Sequence, residues 1–511
     1  MTKVIPCGGR IGFDSSLYLD VQSKSILERV EKYEKLYLEV GGKLSHDMHA
    51  GRILPGYEPD CKLQLFKRLA SKLEIIIAIW AEALEKKKVR ADLGCSYEFD
   101  VFRMIDEFKE NGISVAGVVI TRFDHQPSVS PFMERLEKLG IKTYTHSAIK
   151  GYPDPDVAVS DAGFGSQAYI ETTKPVVVIT GPGPNSGKLA TALSQVYHEH
   201  SRKVKAGYAK LESFPVWNLP LLHPINIAYE AATADLGDYN LIDSWHKEAY
   251  GIEYVNYNRD VEAFPIVARL LEKIMGEEVY KSPTEMGVNA IGGAIIDDSL
   301  CRKAARSEIA RRWFSYGVMA LSGRVDLDTV KRSRRIMDGC GIAEDERAVV
   351  AAARGRLVCE KPTDAVKGVT VVGAVNIPSV GVITGRNSSL FHCSSAIVLK
   401  SLKVLAGVSA ELHVLPKDIV SAVGIMKGKM GGKSSAVSLG LDETLTALAI
   451  SASMDSESVC AKCLAILDKL RGLEMHFTSI PTGGDAKILR ALGIVFSCDP
   501  VFSSKKHWDY L

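Results

Sequence analysis

The sequence predicts an α/β protein with three parts: an N-terminal parallel-sheet region of nucleotide-binding type, a helical middle domain and a C-terminal α/β domain. Short β-branched runs alternate with segments of helical spacing through the first region, as they do in βαβ units. A strand pattern at 176–180 then leads into a glycine- and proline-rich loop and a helix. From these observations we place the domains at 1–280, 281–345 and 346–511.

The elements of the first region follow in order from the same patterns. Residues 21–40 have amphipathic spacing, which predicts a helix that runs towards a short strand. The further predicted strands are 74–80, 115–121, 142–146, 176–180, 204–211 and 253–258. The predicted helices are 61–73, 98–111, 131–139, the segment that starts at 188, and 261–276. This alternation predicts a parallel sheet with helices on both faces.

The middle domain is predicted to be helical, and the C-terminal domain is again predicted to combine strands and helices. Two basic helices, 299–322 and 326–339, make up the predicted middle domain. Acidic residues are interleaved with the basic ones, which favours solvated helix faces over a polyanion-binding surface. Strands at 368–376 and 381–384 begin the C-terminal domain.

Composition excludes several classes of protein. Of the 511 residues, 24% are charged and 46% are apolar, and the net charge of +2 provides no general attraction to nucleic acid or to an anionic membrane. The longest apolar run, Ile75 to Ala81, is far shorter than the roughly 20 residues of a membrane-spanning helix. Ten scattered cysteines fit reduced thiols, and the first residues lack an apolar signal core. We therefore expect a soluble, cytoplasmic protein.

The stretch 175–191, PVVVITGPGPNSGKLAT, has the order of a phosphate-binding loop. It departs from the pattern G-x-x-x-x-G-K-[ST], because counting back from Gly187 puts Pro182 where the first glycine belongs. Leu189 also replaces the hydroxyl residue that holds Mg²⁺ in that pattern. An ordinary glycine- and proline-rich turn is the alternative. The predicted phosphate-binding residues are Gly181, Gly183, Asn185, Ser186, Gly187, Lys188 and Leu189.

A nucleotide enzyme also needs an oxygen ligand for Mg²⁺, because the metal neutralises phosphate charge. Residues 212–246 form a long acidic and aromatic stretch without clear periodicity, and such stretches are often functional. We therefore predict that Lys188, Glu212 and Asp235 are catalytic and that Thr191, Glu212 or Asp235 holds Mg²⁺. Solvated loop acids and helix caps are the alternative for these carboxylates.

Weaker candidates lie elsewhere in the chain. Hydrogen-bond donors at a predicted helix start could form a second anion site, and capping of that helix by serine is the alternative. These donors belong to Thr384, Arg386, Asn387 and Ser388. The basic run 86–90 could hold an anionic substrate, although a solvated face is the simpler interpretation. His46 and His49 have a spacing that could share a metal, but ordinary loop histidines are favoured. The sequence at 432–434 matches only part of the P-loop pattern. Cys460 and Cys463 form a C-x-x-C motif, but the sequence offers no second cysteine pair that would complete a zinc site.

Several long stretches resemble one protein family closely. They include YLEVGGKLSHDMHAGRILPGYEPD (37–60), ITGPGPNSGKLATALSQVYHEH (179–200) and KAGYAKLESFPVWNLPLLHPINIAYEAATADL (205–236). On these runs the chain resembles the uncharacterised, mainly bacterial domain-of-unknown-function family eighteen-forty-six. The resemblance implies the three-part organisation above and a C-terminal part of cytidine-deaminase-like topology, and it implies no activity.

Some members of that family have been labelled ATP-dependent peptidases. The sequence argues against a zinc protease, because it has no H-E-x-x-H motif, and against a zinc deaminase, because His392-Cys393-Ser394 lacks the glutamate of H-x-E. The loop is loosely similar to that of formyltetrahydrofolate synthetases, in which ATP activates a substrate. We therefore expect an enzyme that uses ATP or GTP with Mg²⁺ on a small anionic metabolite. The alternatives are a non-catalytic nucleotide-binding module and a binder of a phosphorylated metabolite; a homo-oligomer is also expected.

Overall fold

The computed structural model describes residues 10–90, 94–149, 151–360, 369–429 and 438–503. The described residues form two compact units. We call residues 12–229 and 238–301 the sheet unit, and residues 10–11, 230–237 and 302–503 the C-terminal unit. The predicted middle domain, 281–345, spans the boundary between them, and the P-loop lookalike at 432–434 lies outside the described residues.

The sheet unit alternates strands and helices. Its strands are β1 Lys35–Val40, β2 Leu73–Trp80, β3 Val89–Arg90, β4 Cys95–Ser96, β5 Ser114–Thr121, β6 Thr143–Thr145, β7 Val176–Thr180, β8 Ala206–Leu211, β9 Asn240–Ile242, β10 Val255–Tyr257 and β11 Gly287–Val288. Its helices are α1 Ser15–Val30, α2 Met48–Ile53, α3 Cys61–Arg68, α4 Ala81–Glu85, α5 Tyr97–Glu110, α6 Val129–Lys138, α7 Pro155–Ala158, α8 Lys188–Ser201, α10 Ser244–Tyr250, α11 Asn258–Met275 and α12 Pro283–Met286. Helices α9 Pro224–Ala232 and α13 Asp298–Leu321 begin in this unit and end in the other.

A seven-stranded parallel sheet organises the sheet unit. Its strand order is β11-β8-β1-β7-β2-β5-β6, so that β7 lies at the centre, between β1 and β2. Every residue of β7 is buried, as expected for a β-branched strand covered on both faces. The predicted α/β class with a parallel sheet is therefore confirmed.

Helix α8 packs on this sheet through one face. Ala192, Leu193 and Val196 of α8 share a buried core with Val177 and Ile179 of β7. Burial of these side chains stabilises the unit by about 1.5–3 kcal/mol for each of the larger ones. The orientation of α8 is thus set by core packing, and its first turn is held at the carboxyl edge of the sheet.

Two segments differ from the sequence prediction. At 21–40 the predicted order of helix and short strand is kept, but α1 begins earlier, at Ser15, and ends at Val30, and β1 starts at Lys35 because these residues pair with both β7 and β8. The stretch 212–246, expected to be irregular, contains α9 and β9. In both cases the regular structure depends on partners that are distant in sequence.

The C-terminal unit contains a smaller mixed sheet. Its strands are β12 Val372–Ile377, β13 Gly381–Arg386, β14 Glu474–Phe477 and β15 Val495–Cys498, in the order β13-β12-β14-β15. The pair β14–β15 is parallel and the other two pairs are antiparallel. The further helices are α14 Leu327–Gly339, α15 Ala348–Cys359, α16 Cys393–Leu405, α17 Lys417–Lys429, α18 Leu441–Met454, α19 Val459–Leu464 and α20 Gly483–Ala491. None of the helices in the described ranges combines the length and apolar composition that a bilayer-spanning segment needs.

Candidate functional site

The loop 181–187 joins the central strand β7 to helix α8 at the carboxyl edge of the sheet. Gly187 is the residue before the helix; it has φ +87° and provides no side-chain cap. The first N–H groups of a helix have no acceptor within the helix, so the α8 N-terminus offers unsatisfied donors and partial positive charge. Pro182 and Pro184 contribute no N–H of their own. Donors for an anion are therefore concentrated at the end of the loop.

The glycines of the loop are required by close packing. A Cβ atom at Gly181 would lie 2.7 Å from Ser186 Oγ, and one at Gly183 would lie 2.6 Å from the Tyr97 ring. At Gly187 a Cβ would lie 2.8 Å from the Thr121 side chain, in addition to the strain of its positive φ. The loop is thus confined between its own turn, helix α5 and the end of β5.

Two residues at the end of β5 hold the loop by its carbonyl groups. Thr121 donates from Oγ1 to the carbonyl oxygen of Ser186 at 2.8 Å, and the Arg122 guanidinium donates to the carbonyl of Asn185. Arg122 also lies over the Trp80 ring, 4.0 Å from its centroid. Because these contacts use carbonyl oxygens, they leave the N–H side of the loop for other partners.

Two hydroxyl groups near the helix start have no hydrogen-bond partner among the described residues. They are Ser186 Oγ and Thr191 Oγ1. Ser186 is 3% exposed and Thr191 is fully buried. A buried hydroxyl without a partner costs about 1–3 kcal/mol, so both groups indicate a place where an additional polar partner would be stabilising.

Lys188 lies half-buried at the first position of α8. Within the described ranges, no carboxylate comes within ion-pair distance of its Nζ. Burial lowers the pKa of the Lys188 ammonium below its ordinary value, more than the nearby charge of Glu39 raises it. The site therefore contains a cation that the surrounding protein only partly compensates.

A cluster of buried charges lies at β1 and β8, the two strands that follow β7 on one side of the sheet. Glu39 of β1 and Lys210 of β8 are direct neighbours in the parallel register, and both are about nine-tenths buried. Tyr208 donates to Glu39 Oε2 at 2.8 Å. Lys210 Nζ lies 2.8 Å from Glu212 Oε1 and 2.7 Å from Asp260 Oδ2. We call Glu39, Lys210, Glu212 and Asp260 the charge cluster.

The charge cluster shifts the titration of its own members. Burial opposes the charge on Lys210, but Asp260 and Glu212 outweigh it and hold the pKa of the ammonium well above its ordinary value. Burial raises the pKa of Glu212, and the negative charges of Asp260 and Glu39 raise it further against the effect of Lys210. The cluster therefore contains a firmly charged lysine and a carboxyl group that takes up a proton more readily than usual.

The structure places the predicted magnesium ligands in different surroundings. Glu212 follows β8 and is already engaged by Lys210. Thr191 is buried one turn into α8. Asp235 belongs to the C-terminal unit, where its Oδ1 accepts a hydrogen bond from Tyr316 at 3.1 Å. Only Glu212 and Thr191 thus belong to the same unit as Lys188.

The residues of the predicted second anion site are occupied by protein partners. Arg386 Nη1 lies 2.6 Å from Glu360 Oε2, and the Asn387 side chain accepts from the Val371 N–H at 2.8 Å. Ser388 Oγ accepts from the N–H groups of the two residues that precede His392, while the Thr384 carbonyl accepts from Lys400. Helix α16 begins later than expected, at Cys393. Among its predicted donors, the Arg386 guanidinium and the Asn387 amide, which donates to the Val369 carbonyl, are engaged by protein groups. The second anion site stays a prediction.

Sequence reasoning did not single out Glu39, Lys210 or Asp260. A signal for the first two exists, because Glu39 in KLYLEV and Lys210 in AGYAKL each lie between apolar residues within a strand. Buried charges are rare and are normally paired, so such a residue indicates a partner elsewhere. Asp260 lies in the first turn of α11 and has no comparable local signal.

Together, the fold and the site define a parallel-sheet α/β protein with a glycine-lined strand–loop–helix and buried charges at the carboxyl edge. The chain belongs to the family described as domain of unknown function DUF1846, whose N-terminal part matches residues 11–341 and whose C-terminal part matches residues 345–508. The resemblance found in the sequence is thereby confirmed.

Its relatives are similar along nearly the whole chain. The UPF0371 protein of Clostridium tetani is 47% identical over 499 residues, which cover 97% of this chain and 99% of the relative. UPF0371 protein FN1121 of Fusobacterium nucleatum is 47% identical over 503 residues with the same coverage. A UPF0371 protein of Clostridium botulinum is 46% identical over 499 residues. These names carry no reaction, so the function must be argued from the chemistry of the site.

Proposed function

We propose that the loop 181–187 and Lys188 bind the phosphate groups of a nucleotide, ATP or GTP, and that the protein uses it to act on a small anionic metabolite. The observation that carries this proposal is Lys188, a half-buried cation at the uncapped N-terminus of α8 with no carboxylate in ion-pair contact among the described residues. Burying a charge without a partner is unfavourable, and a phosphate would supply that partner.

The other loop residues would complete the phosphate site. N–H groups from Gly183 to Leu189 would donate to phosphate oxygens, with Pro184 excluded because it has none. The Ser186 hydroxyl, which is buried and has no partner among the described residues, would donate as well. Gly181 would contribute by its lack of a side chain, since it packs against Ser186.

A nucleotide-dependent reaction would also need Mg²⁺ beside the phosphates. Thr191 and Glu212 are the candidates within the sheet unit, and Asp235 is the candidate in the C-terminal unit. Glu212 already pairs with Lys210 through Oε1, so a metal there would share the carboxylate with this lysine or displace it, and Lys210 would in either case keep Asp260 as a partner. Kinase-like or ligase-like transfer is the reaction class that would use such an arrangement.

A second candidate function is binding of a phosphorylated metabolite without a nucleotide. The observation that favours it is Leu189, which packs against the core at the position where a P-loop has its metal-binding hydroxyl. Leu189 offers no metal ligand, and Glu212 is already paired with Lys210, so the support for a metal ion at the loop is weaker. A non-catalytic nucleotide-binding module would share the same loop.

A thermal-shift screen tests both candidates. The full chain would be screened with ATP, GTP, inorganic phosphate and a panel of sugar phosphates, each with and without Mg²⁺. A ligand at 100 times its Kd should raise the free energy of unfolding by about 2.7 kcal/mol. Lys188→Ala should abolish the shift, whereas Lys138→Ala, which removes an exposed lysine from α6 of the same unit, should leave it unchanged.

The results separate the candidates. A shift with nucleotides that needs Lys188, followed by transfer or hydrolysis in the presence of Mg²⁺, supports the enzyme. Nucleotide binding without turnover identifies the module, and a shift with sugar phosphates alone identifies the metabolite binder. If no phosphate compound acts through Lys188, the loop is an ordinary turn and the proposal is wrong.

We retain the cytidine-deaminase-like topology of the C-terminal part as a proposal about fold only. The hairpin β12–β13, which is followed by several helices and then by the parallel pair β14–β15, is compatible with it. A zinc-deaminase reaction is not proposed, because Ser394 stands where the H-x-E motif has its glutamate.

A further inference from the structure

A second group of chemically active side chains lies in the sheet unit, away from the loop 181–187 in sequence. His46 comes from the loop after β1, Asp60 immediately precedes α3, and Glu107 lies in α5. One ligand atom from each of these residues lies within 4.8 Å of the other two. His49, which the sequence spacing had paired with His46, instead packs edge-on against the Phe214 ring. Three separate elements thus converge at His46.

The position of the His46 ring is unlike that of an ordinary ion-paired histidine. Its Nδ1 lies 3.9 Å from Asp60 Oδ1 and also 3.9 Å from Glu107 Oε1, which is too far for a hydrogen bond to either oxygen. Two other histidines of this protein approach their aspartates directly, His223 at 2.9 Å and His392 at 2.8 Å. His46 instead lies at equal distances from both carboxylates, with space between the three atoms.

The carboxylates are already oriented towards this space. Asp60 occupies the N-cap position of α3 but makes no side-chain hydrogen bond to its own helix, and its Oδ1 accepts from the N–H of His46 at 2.9 Å. Glu107 Oε2 accepts from Ser45 at 2.6 Å and from Arg103 at 3.0 Å, which leaves Oε1 for the cluster. Neighbouring residues therefore hold each carboxylate group in place and leave one oxygen directed at His46.

Exposure differs between the three ligands in a way that suits ion entry. The side chains of Asp60 and Glu107 are 18% and 16% exposed, whereas that of His46 is 52% exposed. His46 also has φ +57°, a backbone conformation that non-glycine residues seldom adopt. The two carboxylates are thus mostly buried, and the imidazole is the most exposed of the three ligands.

We propose that His46, Asp60 and Glu107 form a binding site for a divalent transition-metal ion, with Zn²⁺ as the ion that fits the ligand set best. Zinc accepts nitrogen and carboxylate oxygen ligands at about 2.0–2.2 Å, so tetrahedral neighbours would be roughly 3.4 Å apart. The imidazole nitrogen, 3.9 Å from each oxygen, would need to move closer to both by about half an ångström, and the two oxygens lie within 4.8 Å of each other. The imidazole favours zinc and its chemical neighbours over Mg²⁺ and Ca²⁺. The exposed side leaves a coordination position for water.

This site does not depend on the proposed function of the loop 181–187. It uses none of the loop's residues, and its test has a readout that requires no nucleotide. Either inference can therefore fail while the other stands.

Metal titration of the full chain tests the proposal. Purified protein, stripped of metal by a chelator, would be titrated with Zn²⁺ by calorimetry and with Co²⁺ by visible absorption. We expect one equivalent to bind, with cobalt bands of a nitrogen and oxygen ligand set and no thiolate charge-transfer band. His46→Asn, which tolerates a positive φ, and Glu107→Gln, which can still accept from Ser45, should each weaken binding by at least about tenfold.

The matched control is His125→Asn. His125 is another exposed loop histidine of the sheet unit with a positive φ, +58°, and it is not part of the cluster. This variant should bind Zn²⁺ as the wild type does. If His46→Asn and Glu107→Gln keep wild-type affinity, if cobalt shows thiolate ligation, or if no equivalent binds at all, the proposal is overturned. Circular dichroism of each variant verifies that a loss of binding is not a loss of fold.

Discussion

The carboxylate of Glu212 lies directly against Gly41, the residue that follows β1. A Cβ atom at Gly41 would come within 2.8 Å of Glu212 Cδ and Oε1, and still closer to Oε2. Glu212 in turn lies 2.8 Å from Lys210. The absence of a side chain at position 41 therefore lets the charge cluster close at the edge of the sheet.

Gly41→Ala should destabilise the sheet unit. The added methyl group cannot coexist with the Glu212 carboxylate, and moving that carboxylate weakens its ion pair with Lys210. Overpacking of this kind lowers the free energy of unfolding by about 1–3 kcal/mol, measurable by urea denaturation. Gly293→Ala is the control, because a Cβ there meets no atom within 4 Å. Equal stability of the two variants would show that Glu212 moves away freely.

Lys188→Met should stabilise the ligand-free protein while removing phosphate binding. The pKa of Lys188 is lowered mainly by burial, which means that the folded state disfavours the charged form. Replacing it by an apolar side chain of similar length should raise the free energy of unfolding by about 1 kcal/mol, because residues that serve function often destabilise the ligand-free fold. Urea denaturation without phosphate checks the prediction.

The control for this variant is Lys138→Met at an exposed position of α6, which should leave stability within about 0.5 kcal/mol of the wild type. Loss of stability in Lys188→Met would indicate that Lys188 contributes to the fold and is not reserved for a ligand.

Thr121→Val should loosen the loop 181–187. The substitution keeps the shape of the side chain but removes the hydrogen bond from Oγ1 to the Ser186 carbonyl. We expect a loss of about 1 kcal/mol in stability and faster amide hydrogen exchange across the loop. Thr145→Val on β6, whose hydroxyl has no hydrogen bond to another described residue, should change neither quantity. Unchanged exchange in Thr121→Val would mean that Arg122 alone holds the loop.

Asp485→Asn should reduce the acid sensitivity of the C-terminal unit. Burial opposes ionisation of Asp485, but hydrogen bonds from His392 and Ser394 outweigh it and lower the pKa of the carboxyl. Because the folded pKa lies below the ordinary value of 3.8, the ionised form stabilises the fold fully above that pH and the contribution is lost as the pH falls through the lowered pKa.

The variant should therefore be less stable by about 2 kcal/mol at neutral pH, with a shallower decline in the free energy of unfolding below pH 3.8. Urea denaturation of the full chain at a series of acidic pH values measures both effects. Asp442→Asn, which alters an exposed carboxylate at the start of α18, is the control and should keep the wild-type slope. An unchanged slope in Asp485→Asn would contradict the prediction.

Local features of the chain could be predicted from sequence because their causes are local. The β-branched run at 176–180 and the glycines and prolines that follow it specify a strand and a turn, and helix α8 starts at Lys188 as the pattern indicates. The order of helix and short strand at 21–40 could be predicted, but the bounds of α1 and β1 could not, because β1 depends on pairing with β7 and β8. Propensity is too weak to decide such a case without its partners.

The same distinction separates the parts of the candidate site. A lysine after a glycine-rich loop is a local signal, so Lys188 could be found in the sequence. That Glu212 pairs with Lys210, and that Lys210 also reaches Asp260 fifty residues later, follows only from the packing of α11 beside β8. The metal cluster is similar, since Glu107 is separated from His46 by 61 positions of the chain.

The sequence by itself determined the family, the α/β class and the strand–loop–helix at 176–201, because these depend on residue order and on local periodicity. The tertiary structure alone decided which charges are paired and that Lys188 has no carboxylate in ion-pair contact among the described residues, because ion pairs and ligand sets form between residues that only folding brings together. Lys188 shows both influences, because its position after the loop is a property of the sequence and its only partly compensated charge is a property of the fold.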